Sequence, residues 1–310
     1  ATTAADNTAV GANALYVTTT GANNTAVGKS ALLSNTTGSE NTAVGQNSLD
    51  ANTTGQGNTC MGQSSLSTNT TGGVNVAIGV DALNANTTAS YNTAIGKGAM
   101  AATTTGASNT AVGYIALATN TTGGSNVAVG DNCLNALTTA ARNTATGKNS
   151  LIALTTADDN TCIGYQAGDV ITTSVSNTCI GMDTDPSAAD SNGHEVVIGK
   201  NAVGKGTSTG FMSANGGANY AGNNSASWST TSDRRIKKNI EDNNTGLDKI
   251  NDIRVRNFEY RLPEEVDPEL PSHAAIDKEG IQLGVIAQEI MEILPDVVKQ
   301  ESTGCYTVDP

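Results

Sequence analysis

Asn24-Thr25-Ala26-Val27-Gly28 decides how this 310-residue chain folds, because it returns every 17 residues. Its glycine recurs as Gly11, Gly28, Gly45, Gly62, Gly79, Gly96, Gly113, Gly130, Gly147, Gly164 and Gly181, and its asparagine keeps the same step from Asn7 to Asn177. A fixed short period without insertions marks a solenoid, in which one coil cannot bury its apolar face until another stacks on it. The residue before the glycine is Val or Ile except at Met61 and Thr146; two before it stands Ala or Cys, and three before it Thr or Val. This alternation predicts a short strand. Its Thr/Val and Val/Ile positions are expected inside the coil, with the small residue facing outward against a close neighbour.

Four residues after the glycine comes a second apolar position, Leu15 through Leu151 with Met100 among them, and then a corner such as Thr36-Thr37-Gly38. Gly and Asn suit such turns because they tolerate positive φ. Two short strands and two turns in each 17-residue coil predict an all-β repeat solenoid, a parallel β-helix or β-roll. Eleven rungs at about 4.8 Å make a shaft of roughly 50 Å. Each coil offers only two or three aliphatic side chains against the backbone entropy of its ordered residues, so lateral association is expected, with the constant small residue at the contact. A homotrimer is the expectation, although the spacing does not set the number.

The chain is acidic, with net charge −13 and 3% aromatic residues. No basic patch offsets phosphate repulsion, so no nucleic-acid partner is expected. No signal peptide or transmembrane run is visible, so no membrane insertion is expected, and Ala1 in place of Met suggests a trimmed start or a fragment. Charge density jumps near Ser232: residues 1–231 hold 6 Lys/Arg and 12 Asp/Glu, whereas residues 232–310 hold 10 and 17. The expected domains are a repeat shaft over 1–199, a Gly/Ser/Asn-rich tip or connector over 200–231 and a small α+β domain over 232–310.

Five cysteines show no metal-ligand spacing, and neither metal nor cofactor is expected. Cys60, Cys162 and Cys179 stand at the small-residue position; Cys162 and Cys179, one coil apart, fall within disulfide reach, although packed thiols replacing Ala are the plainer reading. Asn35-Thr36-Thr37 and its repeats match a glycosylation sequon but read as corner residues. The repeat fails at Gly168, Asp185 and Pro186, and Val196-Val197-Ile198-Gly199 is a last echo, one residue late. Phe211, Tyr220 and Trp228 follow in the glycine-rich stretch, where aromatic rings suit a receptor contact such as stacking on sugars. No carboxylate pair stands out of the coil pattern for glycan cleavage; Asp158-Asp159 is the nearest and reads as a solvated corner.

Beyond Ser232, Leu247, Ile250 and Ile253 predict a short amphipathic helix, Val255, Phe258 and Tyr260 a strand, and Ile286 to Leu294 a helix stopped by Pro295. Two resemblances attach here. Asn75-Val76-Ala77-Ile78-Gly79 and Asn126-Val127-Ala128-Val129-Gly130 resemble the repeats in the heads of trimeric autotransporter adhesins, which implies a trimeric left-handed β-roll. The longer Thr-rich version is similar to bacteriophage tail-fibre shafts. Ser232-Asp233-Arg234-Arg235-Ile236-Lys237, Phe258-Glu259-Tyr260 and Gly284-Val285-Ile286-Ala287-Gln288-Glu289 resemble the self-cleaving intramolecular chaperone domain of endosialidase tailspikes and many phage tail fibres. That resemblance implies a chaperone that helps three β-stranded chains fold and then cuts itself off between Thr231 and Ser232. It also implies a single-turnover serine autoprotease with Ser232 and Lys237 as its dyad. The expected setting is a virion attaching to a host-surface glycan or protein; the alternative is a bacterial surface adhesin or extracellular filament carrying the same domain. The family continues past a Tyr-x-Val-Asp segment, here Tyr306-Thr307-Val308-Asp309, into a long helix, and this sequence stops at Pro310.

Overall fold

A computed structural model describes residues 4–190, 193–214, 217–221, 228–230, 247–259, 280–300 and 306–308. It divides into two compact units, Ala1–Thr231 and Ser232–Pro310. In the first, three-residue strands recur once per coil from β1 (Thr8–Val10) to β11 (Thr178–Ile180). β12 (Val196–Gly199), β13 (Gly210–Ala214), β14 (Gly217–Ala221) and β15 (Trp228–Thr230) complete one 15-stranded sheet in sequence order. Neighbours pair parallel and in register, Thr25 on Thr42, Ala26 on Ala43, Val27 on Val44. The solenoid therefore runs past residue 199: β13 still pairs parallel with β12, and only then does the sheet turn antiparallel through β14 and β15.

Three expectations about the coil are corrected. First, each coil has one strand, not two. The Leu position lies in a turn, with φ +50° at Leu32 and +54° at Leu49. A left-handed leucine costs about 1 kcal/mol. Full burial of its side chain, worth roughly 2 kcal/mol, offsets that, and the backbone still bonds to the next coil, as Leu32 N–H does to Ser48 O at 3.1 Å.

Second, the strand faces are reversed. Ala26, Ala43, Cys60, Ala77 and Ala94 are fully buried, whereas the Val/Ile position looks outward, 57% exposed at Val10 and 37% at Ile95. The coil interior already holds Leu and Asn side chains, so Ala or Cys is what remains to be fitted between them. The glycine beside this column has its own constraint: at Gly79, φ is +133° and an added Cβ would sit 2.5 Å from Gly96 O in the next coil.

Third, the recurrent Asn does not serve a positive-φ turn. It is buried and forms a ladder: Asn92 N–H donates to Asn75 Oδ1 at 3.0 Å, Asn92 Nδ2 donates to Gly106 O at 2.9 Å, and Asn109 N–H donates to Asn92 Oδ1 at 2.9 Å. A second ladder runs through the corner, Asn52 to Asn35 and Asn69 to Asn52 at 2.9 Å, and Asn86 to Asn69 at 2.8 Å. It breaks at Thr103, leaving Asn86 Oδ1 and Thr103 Oγ1 buried without partners. Towards the end of the shaft this column turns apolar at Leu137, Leu154 and Ile171.

In the second unit, α1 (Leu247–Asp252) precedes β16 (Arg256–Phe258), which pairs antiparallel with β17 (Gln282–Gly284). α2 (Ala287–Ile293) follows, then a 3-10 turn at Pro295–Val297 and an antiparallel pair of β18 (Val298–Gln300) and β19 (Tyr306–Val308). The helices and the Phe258 strand lie where the sequence predicts them; Tyr260 falls outside the described residues.

Candidate functional site

The nucleophile and base implied by resemblance, Ser232 and Lys237, and the scissile Thr231–Ser232 bond lie outside the described residues. What the described part of the C-terminal unit shows is the frame around them in sequence. Arg256 on β16 forms a forked ion pair with Glu289 on α2, Nη2 to Oε1 at 2.8 Å and Nε to Oε2 at 3.1 Å. The Arg256 guanidinium, by hydrogen bonding, holds the Glu289 carboxyl below the usual carboxylate range. A polar cleft of about 430 Å³ lies beside it, lined by Asn251, Asp252, Arg254, Glu289, Glu292 and Ile293. Ile290, one residue from Glu289, is buried and anchors α2. The Gly-x-Ile-Ala-Gln-Glu motif thus supplies both the extended entry of α2 at Ile286 and the carboxylate that fixes β16. Sequence reasoning quoted Glu289 within a motif but gave it no partner; a lone charge pair 33 residues apart leaves no periodic trace.

On the shaft, the three aromatics expected at a contact tip take different places. Phe211 is 4% exposed, with Lys205 Nζ 4.9 Å from its ring centroid, so its ring is packed into the end of the solenoid and not open to a sugar. Tyr220 and Trp228 belong to β14 and β15, and their side chains lie outside the described residues. The open rings are ones the sequence reading passed over: Tyr16, Tyr91, Tyr114 and Tyr165 are all exposed. Tyr114 and Tyr165 each follow a repeat glycine directly, a position that points away from the coil.

The sequon asparagines Asn35, Asn52 and Asn69 are fully buried in the second ladder, and the neighbouring Thr36, Thr53 and Thr70 hydroxyls donate to the next coil's threonine carbonyls at 2.9, 2.9 and 3.0 Å. Neither set is available to a modifying enzyme or a flat binding face. Asp158 and Asp159 are held by Arg142, at 3.0 and 2.6 Å, and the Asp159 carboxyl is lowered by that hydrogen bond. They form an exposed ion cluster, not an acid–base pair.

At the irregular end, the sequence reading gave Glu195 no role and took Asp185 only as a break in the repeat. Glu195 takes the place of the ladder asparagine and is fully buried. Its carboxylate accepts Ser187 Oγ–H at 2.6 Å and the backbone N–H groups of Ser187 and Gly206 at 3.1 and 3.3 Å. It closes the solenoid where Pro186 interrupts the coil. The clue was its position just before Val196-Val197-Ile198-Gly199. Asp185 has one buried carboxylate oxygen without a partner. Burial, then the nearby Asp169, pushes its carboxyl up to about 6.

Among the described residues no helix is long and apolar enough to cross a membrane, and no group of three His, Cys, Asp or Glu side chains could hold a metal ion. Residues 232–299 match the family model described as chaperone of endosialidase, which begins at the first residue of the second compact unit. The C-terminal unit is therefore similar to an intramolecular chaperone domain, preceded by a β-solenoid shaft. No solved structure matches the chain.

Proposed function

We propose that this chain is the distal part of a trimeric bacteriophage tail fibre. Its solenoid presents itself to a host-surface glycan or protein, and its C-terminal chaperone aids trimer folding and then cuts itself off between Thr231 and Ser232. The observation that carries the reading is the coincidence of three boundaries at one bond: the jump in charge, the edge of the compact shaft and the start of the chaperone match. Chaperoning suits this shaft because its coils are self-similar and out-of-register stacking of one chain on another would satisfy most of the same contacts.

The outward Val/Ile column supports lateral assembly. It runs through Val10, Val27, Val44, Met61, Ile78, Ile95, Val112 and Val129, one residue per coil, with Val10, Met61 and Ile95 exposed and the others partly exposed in the single chain. A continuous apolar row of this length on one side of a shaft is what a neighbouring copy would cover. For the cut, Ser232 supplies the hydroxyl and Lys237 the base, provided Lys237 is held neutral by its surroundings. Losing the chaperone then traps the trimer kinetically, since refolding is no longer assisted.

Intact mass spectrometry of the full-length chain tests the reading, run beside Ser232→Ala and Lys237→Ala and followed by sedimentation of the product. Expected are a wild-type break before Ser232, none in either variant, and a trimeric shaft. A wild-type chain that folds as a trimer yet stays uncut removes the autoprotease. The likeness of Asn75-Val76-Ala77-Ile78-Gly79 to autotransporter head repeats keeps a second reading open, a bacterial surface adhesin with the same chaperone; an upstream secretion signal or outer-membrane anchor in the complete gene would select it.

A further inference from the structure

Cys162 on β10 (Thr161–Ile163) and Cys179 on β11 are in-register partners on adjacent parallel strands. Both side chains point into the coil and are fully buried, and both thiols are free. Adjacent strands are about 4.8 Å apart, inside the roughly 4.4–6.8 Å Cα separation a disulfide spans. The other described cysteines have no such neighbour: Cys60 is flanked by Ala43 and Ala77, and the Cys133 thiol donates to Ala145 O at 3.3 Å. The pair also falls where the stack changes. Gly168 stands at the leucine position, and the space its side chain would need is taken by Cys162 Sγ, Leu151 Cδ2 and Ile171 Cδ1, at 2.5, 3.0 and 3.1 Å from a Cβ placed there. One coil further on, the 17-residue step itself gives way to 18 at Glu195.

We propose that Cys162 and Cys179 form a cross-coil disulfide that staples the last 17-residue coil to the irregular one after it when the chain folds in an oxidising environment. The oxidant is a small disulfide such as oxidised glutathione. One cysteine thiolate attacks it, releasing one glutathione and leaving a mixed disulfide. The second cysteine, on losing its proton, attacks the protein sulfur of that bond and releases the other glutathione. Two protein thiols and one oxidised glutathione become one protein disulfide and two reduced glutathiones. Once the coils have closed, the sulfurs are sealed from solvent, so the exchange belongs to folding and the finished bond resists reduction. The staple closes a short loop and restrains the end of the shaft that lacks a leucine.

The test folds the full chain in oxidised or in reduced glutathione, then denatures it in an alkylating agent for intact mass and peptide mapping. Expected is a peptide pair joining Cys162 to Cys179, two fewer alkylations in the oxidised sample, and a Tm higher by roughly 5 °C than in the reduced one. Cys162→Ala and Cys179→Ala each abolish the difference; both are safe for folding, because Ala145 and Ala128 occupy the same column. Cys60→Ala leaves the difference intact. Alkylation of all five thiols after oxidative folding overturns the proposal, as does a bridge from either cysteine to Cys305, or an oxidised chain that no longer folds.

Discussion

The shaft and the C-terminal unit satisfy their polar groups in opposite ways. In the shaft a buried asparagine in each coil bonds to the coils on either side, so each position depends on the same position 17 residues away. Among the described residues of the C-terminal unit, the half-exposed Arg256–Glu289 pair joins β16 to α2, and Ile290 is the only buried apolar side chain. The shaft is a stack in which an error at one coil is repeated at its neighbours' edges. The described contacts of the C-terminal unit are individual ones that do not repeat along the chain. Substitutions in the repeats are therefore expected to cost more than substitutions at the described positions of the C-terminal unit.

The most severe break of that contrast is a pair of glycine substitutions. Gly79→Ala forces a Cβ to 2.5 Å from Gly96 O at a φ of +133°. A loss above about 4 kcal/mol and failure of the shaft to fold are expected by circular dichroism, since no rotamer relieves a backbone clash. Gly280→Ala meets nothing within 4 Å at φ +81°, so it should cost only about 1 kcal/mol of left-handed strain. Equal effects at the two sites would end the contrast.

Asn92→Ala comes next. It strands the buried Asn109 N–H and Gly106 O, at a cost of about 2 kcal/mol or more in thermal denaturation. Glu289→Gln, by comparison, should leave the shaft's Tm where it was, because it removes only an exposed pair in the other unit.

A repair sharpens the same point. Thr103→Asn restores the missing rung and gives Asn86 Oδ1 a donor. A gain of about 1 kcal/mol is expected if the side chain joins the ladder as Asn69 and Asn86 do. A loss of stability would mean that the corner there is too tight for the larger residue.

The smallest effect concerns pH. The folded-state value of Asp185, about 6, lies above that of an unfolded aspartate. Its contribution to stability is therefore complete in acid and is lost as pH rises through about 6. Asp185→Asn should raise stability near neutral pH by about 1 kcal/mol, after allowing for its half-exposure to solvent, and change little at pH 4. A gain of the same size at both pH values would assign the effect to packing.

Sequence by itself determined the solenoid, its 17-residue step, the boundary at Ser232 and the chaperone likeness, because a stack writes its nearest-neighbour contacts into the period and a family motif survives as residue identities. It could not say which side of the strand faces inward. Alternation defines two faces and is symmetric between them; only the narrow coil, already filled by Leu32 and Asn24 and their counterparts, leaves room for Ala26 inside and turns Val27 outward. The roles of Glu195 and Asp185 and the Arg256–Glu289 pair were equally illegible. Each is made by residues that meet once, from 8 residues apart at Ser187 and Glu195 to 33 at Arg256 and Glu289, and a contact without a period is visible only when the chain has folded.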